Sequence, residues 1–483
     1  MFKPVSSEKK SDRYPWYLLT VTELGALSIG LNISVLNVAL PTISKYFQAS
    51  SIETTWILLS YMLFNSVLIL VFGRLADILG RRNLYLIGVL EYTIASLLCG
   101  FAPNALALIL LRILQAFGAA LLITNTTPLI TDVFPSNRLG QALGIHALVL
   151  SISQMLGPAL GGYLTANFGW QWIFWFHVPI GLLCFFWGLK NIRKTEVVDK
   201  HKQFDILGNL TVFLGLGGLV IALSVGGEIG FISLPVLPGI VIFVACFVFF
   251  LRHERKIEHP MIDLKLFKNH RYAMSNLAAL ISACMQAAIL LLIPLHLQYV
   301  SHFDAQAAGY TVLPLAIGVA LASPTAGTLA RRFQAKYLST LGLCMATVGV
   351  AMMVIYALYP VPLAWLIAAE ILFGVGKGFF AVPNTTTIML SVPPERRGVA
   401  NGIRSTSQNV GKLISTALSM TLITVFLPTD LKNAVYRGQG KDFSGAEQTM
   451  LANGFVVAFA IMLLFGIAAM IVSWSRGEEK PEK

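Results

Sequence analysis

The chain is 483 residues long and 56% hydrophobic, and only 12% of its residues are Asp, Glu, Lys or Arg, about half the charged share of a soluble domain. That composition excludes a string of soluble domains and predicts a membrane protein assembled from apolar blocks of roughly 20 residues, the length a helix needs to cross a bilayer. The net charge of +12 would suit a nucleic-acid partner only if it were spread over a soluble surface, and its distribution along the chain excludes that.

In chain order the apolar runs predict fourteen spans, at 16–38, 54–73, 84–102, 105–128, 140–163, 172–190, 207–225, 236–251, 272–298, 308–330, 337–358, 363–389, 398–426 and 450–474. They are continuous rather than alternating in polarity, which predicts helices and not a barrel. The first run follows Lys3, Lys9, Lys10 and Arg13. It is too long for a signal peptide and has no evident small-residue cleavage site, so it is expected to stay as a helix. An even number of spans puts both termini on one side. The termini and linkers of that side hold 27 of the 35 Lys and Arg residues, while the opposite loops hold four, Lys45, Lys432, Arg437 and Lys441. Both termini are therefore expected in the cytoplasm of a cell-membrane protein.

All five cysteines fall inside spans and make no CxxC or Cys–His pattern, so neither a disulfide nor a metal site is expected. The loop at 427–448 is polar and glycine-containing and reads as a connection. Nothing there suggests an enzyme.

An internal repeat organises the spans. R-x-G-x-A-x-G at Arg138–Gly144 returns at Arg396–Gly402, an offset of 258, and the NTT of Asn125 returns at Asn384. The expected division is a tail at 1–13, a six-helix bundle at 14–190, linkers and two additional helices at 191–271, a second bundle at 272–474 and a tail at 475–483. The fold class is thus an all-α polytopic membrane protein, two six-helix bundles plus two extra central helices. Parallel repeats of this kind suit a carrier that rocks one bundle against the other around a central site.

"GRLADILGRR", Gly73–Arg82, lies in the expected linker between spans two and three. Gly73 and Gly80 permit a tight turn, Arg81 and Arg82 are expected in water, and Asp77 is expected to dock on the positive end of the helix starting near Gly398 in the other half.

G-x-L-A-D-x-x-G-R-R at Gly73–Arg82, LNVALP at Leu36–Pro41, R-x-x-Q-x-x-G at Arg112–Gly118, GPALGG at Gly157–Gly162 and GWQWIFWFHVPIG at Gly169–Gly181 together resemble the fourteen-span drug:proton antiporter branch of the major facilitator superfamily. The resemblance covers nearly the whole chain. It implies a secondary transporter that exports an amphipathic organic compound by proton antiport, with the proton gradient as energy source, no cofactor and no metal. The expected partners are the small-molecule cargo, protons and the lipid bilayer, with the chain as a monomer and no nucleic acid involved. The element containing Gly157, Pro158, Gly161 and Gly162 is the one that separates exporters from importers in that family. Ser153 stands where the pattern has another glycine, and Asn32 stands where it usually has an aspartate. An amide carries no proton, so coupling must use another acid.

The candidates are Glu23, Glu91 and Glu370, one of which could face Arg112 and alternate between proton and salt bridge. On a helical wheel Glu23 shares a stripe with Gly30, Ser34 and Asn37, while Asn32 lies opposite with Ser28 and Gly25. Glu23 alternatively snorkels to the interface, and Glu91 alternatively sits at the bundle periphery. Four cations fall inside spans, Arg112, Lys377, Arg404 and Lys412. Each costs about 2.5–3.5 kcal/mol at mid-membrane on insertion scales, so they should face protein or water. With Asn32, Asn37, Gln115, Gln154, Asn384 and Gln408 they are the cavity candidates. By the repeat offset Arg404 and Lys412 answer to His146 and Gln154, which biases the second half toward anionic or zwitterionic cargo. Alternatively, Lys377 and Lys412 pair with Glu370 or with carbonyls. His146, His177 and His296 read as isolated packing residues, and the aromatics from Trp170 to Phe176 as an interfacial belt.

Overall fold

The computed structural model describes residues 13–49, 51–193, 205–229, 233–257, 264–303, 305–330, 332–424, 426–428, 431 and 445–477. Among them each predicted span finds a helix: α1 (Tyr14–Phe47), α2 (Ser51–Leu79), α3 (Arg81–Cys99), α4 (Ala105–Val133), α5 (Ser136–Phe168), α6 (His177–Asn191, after a turn at Trp172–Trp175), α7 (Ile206–Ile229), α8 (Leu237–Glu254), α9 (His270–Tyr299), α10 (Leu313–Leu329, after Ala305–Tyr310), α11 (Ala335–Leu358), α12 (Leu363–Leu390), α13 (Arg397–Thr424) and α14 (Gly445–Ser475). Eleven of these are long and apolar enough to cross a membrane. The three that fall short are α3, which opens on Arg81 and Arg82 and carries Glu91, α7, and α13, which carries Arg404 and Lys412.

Local chemistry sets several starts. Asn104 caps α4 by accepting from the Ala107 N–H at 2.8 Å, and Asn269 caps α9 through the Arg271 and Tyr272 N–H groups, the role short amide side chains fill at helix N-termini. The expected linker at 74–83 is instead helical. α2 runs unbroken through Asp77 to Leu79, and the whole turn is Gly80 at φ +91°, a backbone position that favours glycine.

Within the first bundle α1 packs on α5 and α6, and α3 on α4. Within the second, α9 packs on α13 and α14, and α11 on α12. The bundles meet most extensively through α2 with α13 and α5 with α10, and less so through α5 with α12 and α4 with α13. α7 and α8 pack on each other, and they meet both halves through an apolar cluster of Val71 on α2, Val212, Phe250, and Val399 and Ile403 on α13. The aromatic run is less of a belt than expected. Trp170 and Phe174 are buried in the core, while Trp172 remains exposed.

Candidate functional site

The tightest inter-bundle approaches lie near the helix ends on the side of both chain termini, and α2 stays against α13 further along, where Thr406 donates to the Ser66 carbonyl and Leu413 packs with Leu63 and Val67. A Cβ on Gly73 would meet the Gly398 carbonyl oxygen at 2.9 Å, and one on Gly140 would meet the Gly327 carbonyl oxygen at 2.8 Å. Two helix backbones approach this closely only where a side chain is missing. Polar bonds reinforce the seam. Arg81 and Arg397 both pair with Asp132 at the end of α4, the latter at 2.9 Å, and Arg81 also donates to the Pro394 carbonyl at 2.5 Å. Asn401 donates to the carbonyls of Ile123 and Thr124 at 2.9 and 3.0 Å.

Arg81 therefore does not stay in water as expected; it is 7% exposed, because an acid from α4 and a carbonyl from the other half converge on it. Arg82 is drawn to the Ile192 carbonyl at 2.6 Å. Asp132 was not among the sequence candidates. Its signal in the sequence is its place within the linker at 129–139, between the spans at 105–128 and 140–163, on the same side as the arginines of Gly80–Arg82. The side chains of Asp77, Asn37 and Pro158 lie outside the described residues.

Deeper in the first bundle, Arg112 is fully buried. Its Nη1 donates to Asn32 Oδ1 at 2.7 Å and to Gln115 Oε1 at 2.6 Å, its Nε donates to the Ile57 carbonyl, and the guanidinium lies 4.2 Å from the centroid of the Tyr61 ring. Gln115 passes the bond on to Ser96. Amides, a backbone carbonyl and a ring, not a glutamate, hold the Arg112 guanidinium. Asn32 and Gln115, expected in the cargo cavity, are at most 3% exposed and belong to this knot.

Glu23 has another partner. Both its oxygens lie 3.1 Å from Nδ1 of His146 on α5, so that histidine is not isolated. The wheel explains the pairing. Along the Glu23 stripe Gly30 lies against Ser153 and Ser34 against Gly157, with the neighbouring Val35 against Gly161, while the opposite face, Gly25 and Asn32, meets α3 and α4. The Gly157 and Gly161 positions let α5 lie directly on α1, whereas Gly162 has more room, beside Val38.

The remaining acids stand apart. The Glu91 carboxylate lies against Gly118 between α3 and α4, and both Glu370 oxygens are buried without a hydrogen-bond partner. Neither reaches Arg112 by a hydrogen bond. Asn384 is also not in a cavity; it is 2% exposed, donates to the Ser275 carbonyl and accepts from Arg476.

The other cations are differently placed. Arg404 is half-buried and held by neutral groups, Asn401 Oδ1 at 2.8 Å, Gln408 Oε1 at 3.0 Å and Ser405. Lys412, two turns further along α13, is exposed, as is Gln154 on α5, while Lys377 on α12 is half-buried. The charge of Lys412 bears on Lys377, and that of Arg404 on Lys412. Among the described residues no carboxylate pairs with any of the three, so the expected pairing of Lys377 and Lys412 with Glu370 is absent. His177 and His296 are packed among aromatic rings, as the sequence suggests.

Two helical bundles from a duplicated chain, shut against each other at one end and holding polar side chains at membrane depth, define a polytopic carrier. The sequence pattern of the Major Facilitator Superfamily matches residues 23–416, and the chain belongs to that family; it is a transporter and not an enzyme. It is 32% identical over 402 residues to the riboflavin transporter RibZ of Clostridioides difficile, covering 83% of this chain and 87% of that one. It is equally 32% identical over 415 residues to the multidrug resistance protein Stp of Mycobacterium tuberculosis, covering 86% and 77%. Among solved structures, a double-tryptophan variant of XylE superposes with a TM-score of 0.69 over 97% of both chains at 15% identity, a likeness of fold.

Proposed function

We propose that this transporter is a secondary active exporter of the cell membrane, with both termini cytoplasmic, and that its cargo is an amphipathic organic compound carrying an acidic group. One observation carries the choice of cargo: Lys377, Arg404 and Lys412 form a cationic group at membrane depth with no carboxylate partner among the described residues. Unbalanced charge in low dielectric is costly, and an anionic ligand entering between the bundles would relieve it. Export rests on the resemblance around Gly157 to Gly162, and an amphipathic cargo agrees with relatives described as riboflavin and multidrug carriers. In this reading the shut seam belongs to the conformation that faces outward.

Flux into proteoliposomes tests it with a matched pair, neutral riboflavin and its phosphate ester. Arg404→Ala and Lys412→Ala are expected to weaken the phosphate ester at least tenfold more than the neutral flavin. Equal losses on both would refute the anion assignment.

A second reading, proton antiport, is favoured by the Glu23 and His146 pair, two titratable groups 3.1 Å apart that can exchange a proton during a cycle. A pH gradient should then accelerate wild-type flux and leave Glu23→Gln flux unchanged; gradient-driven flux that survives both Glu23→Gln and Glu370→Gln rules out these acids as the coupling sites.

A further inference from the structure

Asn401 on α13 faces two ways at once. It is fully buried; its Nδ2 donates across the seam to the Ile123 and Thr124 carbonyls of α4 at 2.9 and 3.0 Å, and its Oδ1 accepts from Arg404 Nε at 3.2 Å and Nη2 at 2.8 Å. The first contact answers a gap in α4. Pro128 lies inside that helix and has no N–H, so the Thr124 carbonyl four residues earlier loses its helical donor. Asn401 supplies one from the other bundle. The carbonyls can only accept and the guanidinium can only donate, which fixes the amide with its nitrogen toward α4 and its oxygen toward Arg404. Of the side chains of this length, only an amide offers both.

The second contact occupies Arg404. The Nε and Nη2 edge of a guanidinium is a fork that holds a carboxylate or phosphate through two parallel bonds, and here one amide oxygen takes both nitrogens. Nη1 is turned to Gln408 Oε1 at 3.0 Å, and Nη2 also to Ser405. With the seam shut, an acid reaches that edge only if Asn401 Oδ1 leaves it. The arrangement belongs to one half of the duplication. By the repeat offset Asn401 and Arg404 answer to Leu143 and His146 in the first bundle, and Leu143 sits in an apolar cluster with Ala326 and Val382 of the second.

We propose that Asn401 is a positioning residue that ties anion affinity to the seam: closure anchors its nitrogen on α4 and aims its oxygen at Arg404, which withdraws the two-nitrogen edge from an acidic cargo and releases it in the outward-facing state. The proposal rests on the reading of Arg404 as an anion ligand. Opening lifts the nitrogen off α4, the amide is free to turn, and Arg404 presents both nitrogens. Linkage is reciprocal, so an acid seated on Arg404 favours the open seam.

The test reads Arg404 itself, without cargo, as the rate at which the arginine-selective reagent phenylglyoxal modifies it in protein in phosphatidylcholine nanodiscs, located by mass spectrometry. Asn401→Leu and Asn401→Asp lose the same seam bonds, but only the aspartate still accepts from Arg404. Leucine is expected to speed the modification roughly fivefold or more, the strength of one hydrogen bond to a charged group, and aspartate to leave it no faster than in the parent. Equal rates in the two would make Asn401 a structural residue of the seam and overturn the proposal. Pro128→Ala, which returns an N–H to the Thr124 carbonyl and leaves α13 untouched, should also speed the modification of Arg404, and that gain should vanish in the Asn401→Leu background. No gain, or a gain that persists without Asn401, overturns the proposal equally. The underlying reading fails by a different result: riboflavin phosphate that leaves Arg404 unprotected in Asn401→Leu, with the rates otherwise as expected, would show that Arg404 is no anion ligand.

Discussion

Asn32 shows how one atom changes what a buried charge requires. An aspartate there would neutralise Arg112; the amide only accepts a hydrogen bond, Gln115, the Ile57 carbonyl and the Tyr61 ring add further contacts, and Nη2 is buried without a hydrogen-bond partner. Removing an acceptor from a buried guanidinium costs on the order of 1–3 kcal/mol, so Asn32→Leu should lower the unfolding midpoint of the purified protein, while Asn32→Asp should hold or raise it. Identical midpoints would mean this bond contributes nothing. Glu23 and Asn32 sit nine residues apart on one helix and meet different neighbours. Their separation onto two faces was legible from the wheel, but the partners were not, since His146 and Arg112 arrive from helices more than 75 residues away in sequence and nothing in local periodicity selects one distant helix over another.

At the level of elements, the helices were legible because apolar length alone fixes them. Their junctions were not. Gly73 to Leu79 reads as a charged linker, yet the segment stays helical, with Gly73 packed against the Gly398 backbone of the other half, and a single glycine makes the turn. The same seam gives the second expectation. Gly73→Val and Gly140→Val would drive a side chain into a facing carbonyl, and each should shift the population toward the conformer opened at that end. Faster labelling of a cysteine introduced near Asn401, relative to the parent chain, checks this; unchanged labelling would show that the helices can slide apart without cost. Gly162→Ala, with only Val38 nearby at 3.9 Å, should be nearly silent in the same assay.

Across the whole molecule, the ionic part of the closure converges on Asp132, which holds Arg81 from its own half and Arg397 from the other. Asp132→Asn retains the shape but weakens two charge-assisted bonds at once. The expected result is a longer distance between spin labels placed on the terminal ends of α2 and α13, with thermal stability little changed; an unaltered distance distribution would assign the closure to the glycine contacts alone.

The α7–α8 hairpin occupies a berth on both sides of a joint. Val212 and Phe250 share one apolar cluster with Val71 and Val399, and Val399 follows the very residue whose carbonyl faces Gly73. Any hinge motion that parts α2 from α13 must tear that cluster, so the hairpin travels as cargo of one half and leaves an oily footprint on the other. Each turnover then includes wetting or lipidating that footprint, which makes the thickness and fluidity of the surrounding membrane a brake on the opening step.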